Sequence, residues 1–276
     1  MEFQITKKAK NVAFGLMGVG VLLTIIGAAI AAGDHHFFTR FMASALISGF
    51  FFFAIGLGAL FFLALKYATE TGWYAAVKRV IEAVAGFLPV GMAILGVVLL
   101  VITLADGAHI YSWMDPEVQA HDEMVRHKAA YLNPVFFWIR TIAYFTTYFL
   151  FWRGFKRRSL EEDKVGGTEL HFKNYKRGAL FLVFFAVFSS TSAWDWIMSI
   201  DVHWFSTLFG WYTFAGMWCS TMVVLVLTTL YLKKLGHLEK VNDSHIHDLG
   251  KWTFATSFLW SYMWFSQFML IWYANI

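Results

Sequence analysis

Apolar residues in this chain cluster into seven long segments, which are separated by shorter polar connections. Each segment reaches the roughly 20 residues that an α-helix needs to cross the hydrocarbon layer of a bilayer. Strands of a membrane barrel would be shorter and would alternate in polarity, so the pattern predicts helices. The predicted spans are residues 11–32, 41–65, 83–104, 133–152, 179–198, 204–232 and 252–276.

The first segment shares some features with a secretory signal peptide. Three lysines precede it, and Ala29-Ile30-Ala31 resembles a cleavage site. Its apolar core of 22 residues is longer than the core of about 7–15 residues that is usual in such peptides. We therefore interpret the segment as a retained helix.

Composition supports a membrane protein and excludes two other classes. Of the 276 residues, 59% are hydrophobic and 14% are charged, whereas a soluble domain carries roughly 25% charged residues. Disorder is excluded because long apolar runs and 20% aromatic residues are the opposite of its signature. The single cysteine, Cys219, excludes an internal disulfide and a cysteine-held zinc or iron–sulfur site in this chain alone.

Lysine and arginine are distributed unevenly between the connections on the two sides of the predicted bundle. The N-terminal stub and the connections after the second, fourth and sixth spans hold 18 of them, whereas the opposite connections hold three. Because basic residues accumulate in cytoplasmic connections, the N-terminus and residues 153–177 are predicted to be cytoplasmic and residues 106–132 to lie outside. The net charge of +4 thus reflects orientation and does not indicate nucleic-acid binding.

Polar residues in or beside membrane spans are costly to bury and tend to be functional. At the end of the fifth span, four residues recur at helical spacing on one face, and Asp195 flanks them. This face leads to Asp201 and His203, a carboxylate and an imidazole that could accept protons from a quinol. A packing face followed by an ordinary loop would give the same pattern. The four residues are Ser189, Ser192, Trp196 and Ser199.

Arg140 is a charged residue inside the fourth span. It lies about 10 Å below the outer face at 1.5 Å per residue, and one interpretation is an arginine whose head reaches back to the interface. Asp195 would lie roughly 5–6 Å below the same face by the same rise. Since consecutive helices are usually neighbours, we expect Arg140 and Asp195 to be coupled, directly or through one water.

Two further groups of charged residues have local interpretations. Glu82 follows Lys78 by four positions and Arg79 by three, which favours local ion pairs over a proton entrance. The outer connection is rich in histidine and acidic residues, but no spacing matches a known metal site, so a solvated acidic loop is favoured. Its members are His109, Asp115, Glu117, His121, Asp122, Glu123 and His127.

Several motifs that would indicate a bound cofactor are missing from the sequence. No histidine lies in the middle of a predicted span, so histidine pairs that would hold haem in the membrane are absent. The last span has no internal lysine for a retinal Schiff base, and no nucleotide-binding glycine motif occurs. We therefore expect no haem, iron–sulfur cluster or metal in this chain. The third span is interrupted by glycine and proline, as a broken transporter helix is, at Gly86, Pro89, Gly91 and Gly96. Secondary transport therefore stays an alternative.

Three blocks of sequence carry a resemblance to a known family. The first runs from Trp194-Asp195-Trp196 to residue 210, the second covers residues 120–122 and 128–134, and the third covers residues 248–251 and 265–275. They resemble the F subunit of bacterial alternative complex III (ActF), in the NrfD-like family of membrane subunits. The first hundred residues resemble this family mainly in hydropathy, and Val202 stands where proline is usual.

The resemblance implies an all-α polytopic fold of two four-helix bundles with ten spans, of which seven are predicted here. Residues 1–40 would form a flanking helix and outer loop, residues 41–200 the first bundle, and residues 201–276 the start of a second bundle. The sequence ends at Ile276 inside an apolar segment, from which we also expect further helices.

The resemblance also implies a place in a complex of the bacterial inner membrane that oxidises menaquinol or a related quinol. Electrons would pass to cytochrome c or another acceptor through other subunits, because the F subunit carries no redox centre. The implied partners, besides membrane lipid, are the paralogous C subunit, the iron–sulfur B subunit, the c-haem A and E subunits, the D subunit and a terminal cytochrome oxidase.

We expect the chain to contribute to proton translocation or release, with quinol binding as a further possibility. A purely structural anchor for redox subunits and a proton- or sodium-coupled transporter are the alternatives. The candidate residues are Asp195, Arg140, Asp201, His203, Ser192, Ser199 and Glu82.

Overall fold

The computed structural model describes residues 6–30, 34, 36–105 and 107–275, and within these ranges the regular structure is entirely helical. Three single 3₁₀ turns lie at Trp73–Ala76, Ser112–Met114 and Met198–Ile200. The α-helices are α1 Lys7–Ile30, α2 Phe37–Ala68, α3 Lys78–Ala85, α4 Leu88–Leu104, α5 Pro116–His121, α6 Glu123–Lys128, α7 Pro134–Val165, α8 Glu169–Trp196, α9 Leu208–Lys234 and α10 Asp243–Ala274.

Six stretches of helix are long and apolar enough to cross a membrane, and they correspond to the first six predicted segments. Helix α10 has 32 residues, but its many tryptophan, tyrosine and serine side chains lower its hydropathy. The structure therefore supports a multi-pass helical membrane protein, while the predicted count of seven spans is not confirmed. The six stretches are Lys7–Ile30, Phe37–Ala68, Lys78–Leu104, Pro134–Val165, Glu169–Ile200 and Leu208–Lys234.

Several helix ends differ from the predicted spans. Helices α7 and α8 continue through most of the predicted connection 153–177, so that only residues 166–168 separate them. Lysine, arginine and glutamate have high helix propensity, so a helix can continue through them beyond the apolar layer. Hydropathy marks only the apolar part of such a helix. Gly166 and Gly167 have φ of +70° and +78°, a conformation that glycine adopts without a steric penalty and that turns the chain here.

Some predicted boundaries fall on residues outside the described ranges. Residue 32 at the end of the first predicted span, residue 106 at the start of the outer connection, and residue 276 are among them. The division into domains at residues 40 and 200 stays a prediction.

Helix α2 lies at the centre of the bundle and contacts α3, α4, α8 and α9. Helix α7 packs against α4 and α8, which closes a ring of α2, α4, α7 and α8, and α10 packs mainly on α9. Glycines allow the closest approaches: a Cβ at Gly56 would lie 2.9 Å from the Cα of Leu88, and one at Gly91 would lie 2.9 Å from the Cα of Phe53. Small residues at such crossings let helix backbones meet, which is how membrane helices gain packing energy.

The third span is interrupted near one end. Helix α3 ends at Ala85 and α4 begins at Leu88, with Pro89 at the second position of α4, where its missing N–H does no harm. Gly86 keeps helical angles, and its N–H donates to the carbonyl of Glu82 at 2.9 Å. The interruption therefore tightens the helix locally and does not open its middle.

The connections define two ends of the bundle. The basic end carries residues 69–77, 166–168 and 235–242, and the long-loop end carries residues 107–133 and 197–207. These two names are used below.

Candidate functional site

The side chain of Asp195 is fully buried in the last turn of α8, near the long-loop end. Arg140, on α7, holds it with a two-pronged contact: Nε donates to Oδ2 at 2.8 Å and Nη2 donates to Oδ1 at 2.9 Å. This fork-to-carboxylate geometry is the strongest form of ion pair between side chains. The predicted coupling of Arg140 and Asp195 is confirmed, and it is direct.

Two tyrosines complete the surroundings of the pair. The Tyr144 hydroxyl donates to Asp195 Oδ2 at 2.8 Å, and Arg140 Nη1 donates to the carbonyl of Tyr131 at 3.0 Å. The guanidinium lies 3.8 Å from the centre of the Tyr131 ring and 4.3 Å from that of Phe136. Each of the three guanidinium nitrogens of Arg140 thus donates to an acceptor within the protein, which favours a paired arginine over one whose head is free at the interface.

Sequence reasoning missed Tyr144 and Tyr131. Tyr144 follows Arg140 by four positions and so lies on the same helix face, a signal that could have found it. Tyr131 lies before α7, outside any periodic pattern, and contributes through its backbone carbonyl and its ring. Burial raises the pKa of Tyr131 to about 12, so its phenol is neutral at physiological pH.

The end of α8 is locked by a second set of hydrogen bonds. The Tyr111 hydroxyl donates to the carbonyl of Trp196 at 2.8 Å, and the Trp196 indole N–H donates to the Thr141 hydroxyl at 3.0 Å. The Ser199 hydroxyl donates to the Asp195 backbone carbonyl at 2.5 Å. These bonds fix the position from which Asp195 projects.

The serine stripe follows the predicted face, but its hydroxyls bond within α8 and its extension. Ser192 and Ser199 are buried. Ser192 donates to the carbonyl of Ser189 at 3.2 Å, and Ser199 donates to that of Asp195. Neither hydroxyl contacts the Asp195 carboxylate, so the stripe supports the helix end and does not extend the charged cluster.

Asp201 and His203 form a separate cluster at the surface of the long-loop end. His203 Nε2 lies 2.7 Å from Asp122 Oδ2, and Asp201 Oδ1 accepts the backbone N–H of His203 at 3.0 Å. Lys128 Nζ donates to the carbonyl of Val202 at 2.5 Å. The two long connections are therefore joined to each other here. The acidic loop at residues 107–133, which was predicted to be solvated, contacts residues 202 and 203 of the other connection.

The pKa of Asp122 reflects this junction. Partial burial raises it, but the hydrogen bond from the Val125 backbone N–H and the contact with His203 outweigh that effect, so the net pKa is below the usual value of 3.8. The carboxylate also accepts the Met124 backbone N–H at 2.9 Å and so caps α6. Asp122 is ionised at physiological pH. Its carboxylate contacts both the N-terminus of α6 and His203 of the other connection.

Glu82 lies at the basic end, far from Asp195. Its Oε2 is 2.5 Å from Arg79 Nη1, as predicted, and its Oε1 accepts the Ser159 hydroxyl at 2.5 Å. The predicted pair between Lys78 and Glu82 does not form, because Lys78 reaches across to Glu162 at 2.9 Å. Helix α7 extends far enough to bring Glu162 beside α3, which the shorter predicted span could not show.

Clefts lie between the helices of the bundle. One of about 390 Å³ is bounded by α2, α9 and α10, and its lining includes Phe51, Tyr212, Thr213 and Trp260. Another of about 240 Å³ between α2, α8 and α9 contains Ser189 and Ser190 among mostly apolar residues. In the part of the chain that the structure describes, no group of three or more histidine, cysteine or acidic residues has the arrangement of a metal site.

A scan against protein-family models and a search of curated proteins each find no match to this chain.

Proposed function

We propose that the chain is a membrane subunit of a quinol-oxidising respiratory complex, similar to the F subunit of alternative complex III, and that it handles protons near the outer face. The observation that carries the proposal is the buried cluster of Asp195, Arg140 and Tyr144. Ionisable residues within a membrane bundle are costly and commonly mark proton or substrate pathways. The sequence resemblance supplies the reaction class.

The geometry suggests how such a cluster would respond to a proton. Arg140 donates two hydrogen bonds to the Asp195 carboxylate, and the Tyr144 hydroxyl donates a third. A proton arriving on Asp195 would break the charge balance and leave Arg140 with the Tyr131 carbonyl and two aromatic rings. Proton uptake at Asp195 is thereby coupled to a change at Arg140, and release would restore the pair.

Quinol binding is the second part of the proposal. The 390 Å³ cleft between α2, α9 and α10 is mostly apolar, and it offers the hydroxyls of Tyr212 and Thr213 and the Trp260 indole. Apolar clefts with few polar groups are typical of small-molecule sites. The substrate would be menaquinol or a related quinol, and its electrons would pass to redox centres in partner subunits.

The proposed setting is the bacterial inner membrane, with α10 as a seventh span and the basic end in the cytoplasm. The excess of basic residues at that end supports the orientation. Single cysteines at exposed Lys164 and Glu117 test it in a Cys219→Ser background. A membrane-impermeant maleimide should label the second from outside intact spheroplasts and the first only after lysis, and the reverse result would overturn the orientation.

Purification from native membranes tests the function. A tagged chain should co-purify with multihaem c and iron–sulfur proteins, and the preparation should contain quinone and oxidise quinol. Asp195→Asn should lower the quinol oxidation rate at least tenfold in an assembled complex, whereas Glu117→Gln, at an exposed site, should leave it unchanged. The proposal fails if no redox proteins accompany the chain.

The same preparation distinguishes a structural anchor from a proton-handling subunit. An anchor would co-purify with the redox proteins, but Asp195→Asn would leave both the rate and its pH dependence unchanged in the assembled complex. Asp201→Asn and His203→Ala probe proton release at the surface in the same assay. If the pH dependence of quinol oxidation is unchanged in both variants, the loop that carries Asp201 and His203 has only a structural role.

A further inference from the structure

The long helices α7 and α8 carry a dense group of basic residues where they leave the apolar layer at the basic end. Residues 153–158 of α7 and 170–177 of α8 contain seven lysines and arginines and no acidic residue. One of the seven, Lys156, lies over the ring of Trp152 at 5.2 Å from its centre. The other six are named the hairpin patch below: Arg153, Arg157, Arg158, Lys173, Lys176 and Arg177.

Most of the hairpin patch is exposed and unpaired. All of its members except Arg158 are exposed, so that a ligand can reach them directly. Lys173 lies 4.0 Å from Glu169, and among the residues that the structure describes no carboxylate forms an ion pair with the other five. Arg158 is half-buried, and its Nε donates to the side chain of Asn174 at 2.6 Å. Its two terminal nitrogens have no acceptor among these residues, so they are open to an anion.

Three arginines of the patch are close enough to repel one another. The guanidinium of Arg158 is repelled by Arg177 on the neighbouring helix and by Arg157 beside it. It is nevertheless held in place, at 5.6 Å from the ring centre of Phe155. It also lies against Gly154, where a Cβ would be 3.1 Å from Nη1. The fold thus gathers three positive charges whose repulsion a bound anion would relieve.

The surface next to the patch is apolar and exposed on both helices. Leu150 precedes Arg153 by three positions and Arg157 by seven, which places it on the same face of α7, and it is exposed. On α8, the exposed Leu180 follows Arg177 by three positions. A basic surface that continues into an exposed apolar surface matches a phospholipid, whose charged headgroup is joined to acyl chains. A soluble anion would use only the basic part.

We propose that the hairpin patch binds the phosphodiester headgroup of an anionic phospholipid, with Arg157, Arg158 and Arg177 as the principal contacts. Guanidinium groups present paired N–H donors that match phosphate oxygens. Clusters of about 4–8 basic residues directly beside a membrane span are typical of anionic-lipid binding. The acyl chains would lie along Leu150 and Leu180. Such binding requires only that the bundle lies in a membrane, and it is independent of quinol chemistry.

Native mass spectrometry of the purified chain in detergent micelles measures this binding in the absence of quinol. Each basic contact with an anionic lipid corresponds to about a fivefold change in binding. Phosphatidylglycerol should therefore bind about twentyfold more tightly than phosphatidylcholine. Arg157→Gln/Arg177→Gln should reduce this preference to within about threefold, and since both arginines are exposed, the variant should fold. Arg157→Lys/Arg177→Lys, which keeps both charges, should retain most of the preference.

The matched control is Lys234→Gln/Lys240→Gln. Both lysines are exposed at the same end of the bundle, and neither forms an ion pair within the described ranges. This variant removes the same charge outside the patch and should keep the full preference for phosphatidylglycerol. If the double arginine variant is not monodisperse, Arg177→Gln and Lys234→Gln are compared instead, with an expected loss of about fivefold in the first only.

Three outcomes would overturn the proposal. Equal losses in the arginine and lysine variants would show a general attraction of lipid to the basic end and no site in the patch. Equal binding of both lipids by the unchanged chain would leave the patch for the acidic surface of a partner protein. Displacement of phosphatidylglycerol by inorganic phosphate at equal concentration would assign the patch to a soluble anion.

Discussion

Arg140 and Lys66 are both buried cations with aromatic rings stacked on them, and they lie near opposite ends of the bundle. Arg140 meets the carboxylate of Asp195 through two nitrogens, at 2.8 and 2.9 Å. Lys66 has aromatic rings within 5 Å, and in the part of the chain that the structure describes no carboxylate forms an ion pair with it. One cation is neutralised by a contacting carboxylate, whereas the other has no such contact among the described residues.

The difference follows from the chemistry of the two side chains. The planar guanidinium presents a rigid fork that matches a carboxylate, so that a buried pair can satisfy itself. The ammonium of lysine is a compact charge with three donors, which rings attract but cannot satisfy. The Arg140 site is therefore suited to an internal charge balance, whereas the Lys66 ammonium is held by aromatic rings.

The strongest test of this comparison is the removal of Asp195. Asp195→Asn leaves Arg140 buried without its counter-charge, and breaking a buried pair in this way costs about 3–5 kcal/mol in free energy of unfolding. Denaturation of the purified chain in mixed micelles measures the loss. The double variant Asp195→Asn/Arg140→Met should recover part of it, because no charge is then stranded. Additive losses would show that the two residues act independently.

A packing change near Lys66 should have the next largest effect. A Cβ at Gly178 of α8 would lie 2.8 Å from the carbonyl oxygen of Ala64 on α2, within the helical turn that precedes Lys66. Gly178→Ala should therefore lower the free energy of unfolding by about 1–3 kcal/mol. Gly18→Ala is the control, since its Cβ would meet nothing within 4 Å. Equal effects at both sites would contradict the close approach of α8 to α2.

Replacement of Lys66 should have a small effect on stability. Lys66→Met removes a buried charge without stranding a contacting partner, so we expect a change within about 1 kcal/mol, or a gain. Arg140→Met, measured in the same denaturation assay, should lose several times more. A loss for Lys66→Met as large as that for Arg140→Met would remove the distinction between the two sites.

The smallest expected effect concerns the junction of the two long connections. Because the pKa of Asp122 is lowered in the folded protein, its stabilising contacts are complete above the usual value of 3.8 and are lost as the pH falls through the lowered pKa. Hydrogen exchange of residues 198–206 should then accelerate, while the Arg140 cluster stays protected. His203→Ala should raise exchange in this loop already at neutral pH, and equal protection in the variant would refute the junction.

Hydropathy predicted the helical class and the positions of six long apolar helices because it depends only on local composition and on the thickness of the bilayer. The seventh predicted span, on α10, is not confirmed, because polar and aromatic residues lower the hydropathy of that helix. The predicted spans on α7 and α8 were too short at the basic end. Those ends continue as charged helix beyond the apolar layer. The loss of the Lys78–Glu82 pair to Glu162 follows directly from the longer α7.

By itself, the sequence determined that Arg140 and Asp195 each need a partner and lie at similar depths, because a charge in hydrocarbon is costly and helical rise is constant. Only the tertiary structure decided that the two meet face to face, that Tyr144 shares the carboxylate, and that Lys66 is enclosed by rings from two other segments. These contacts depend on how each helix is rotated about its axis. That rotation is set by packing across the whole bundle, which no local pattern contains.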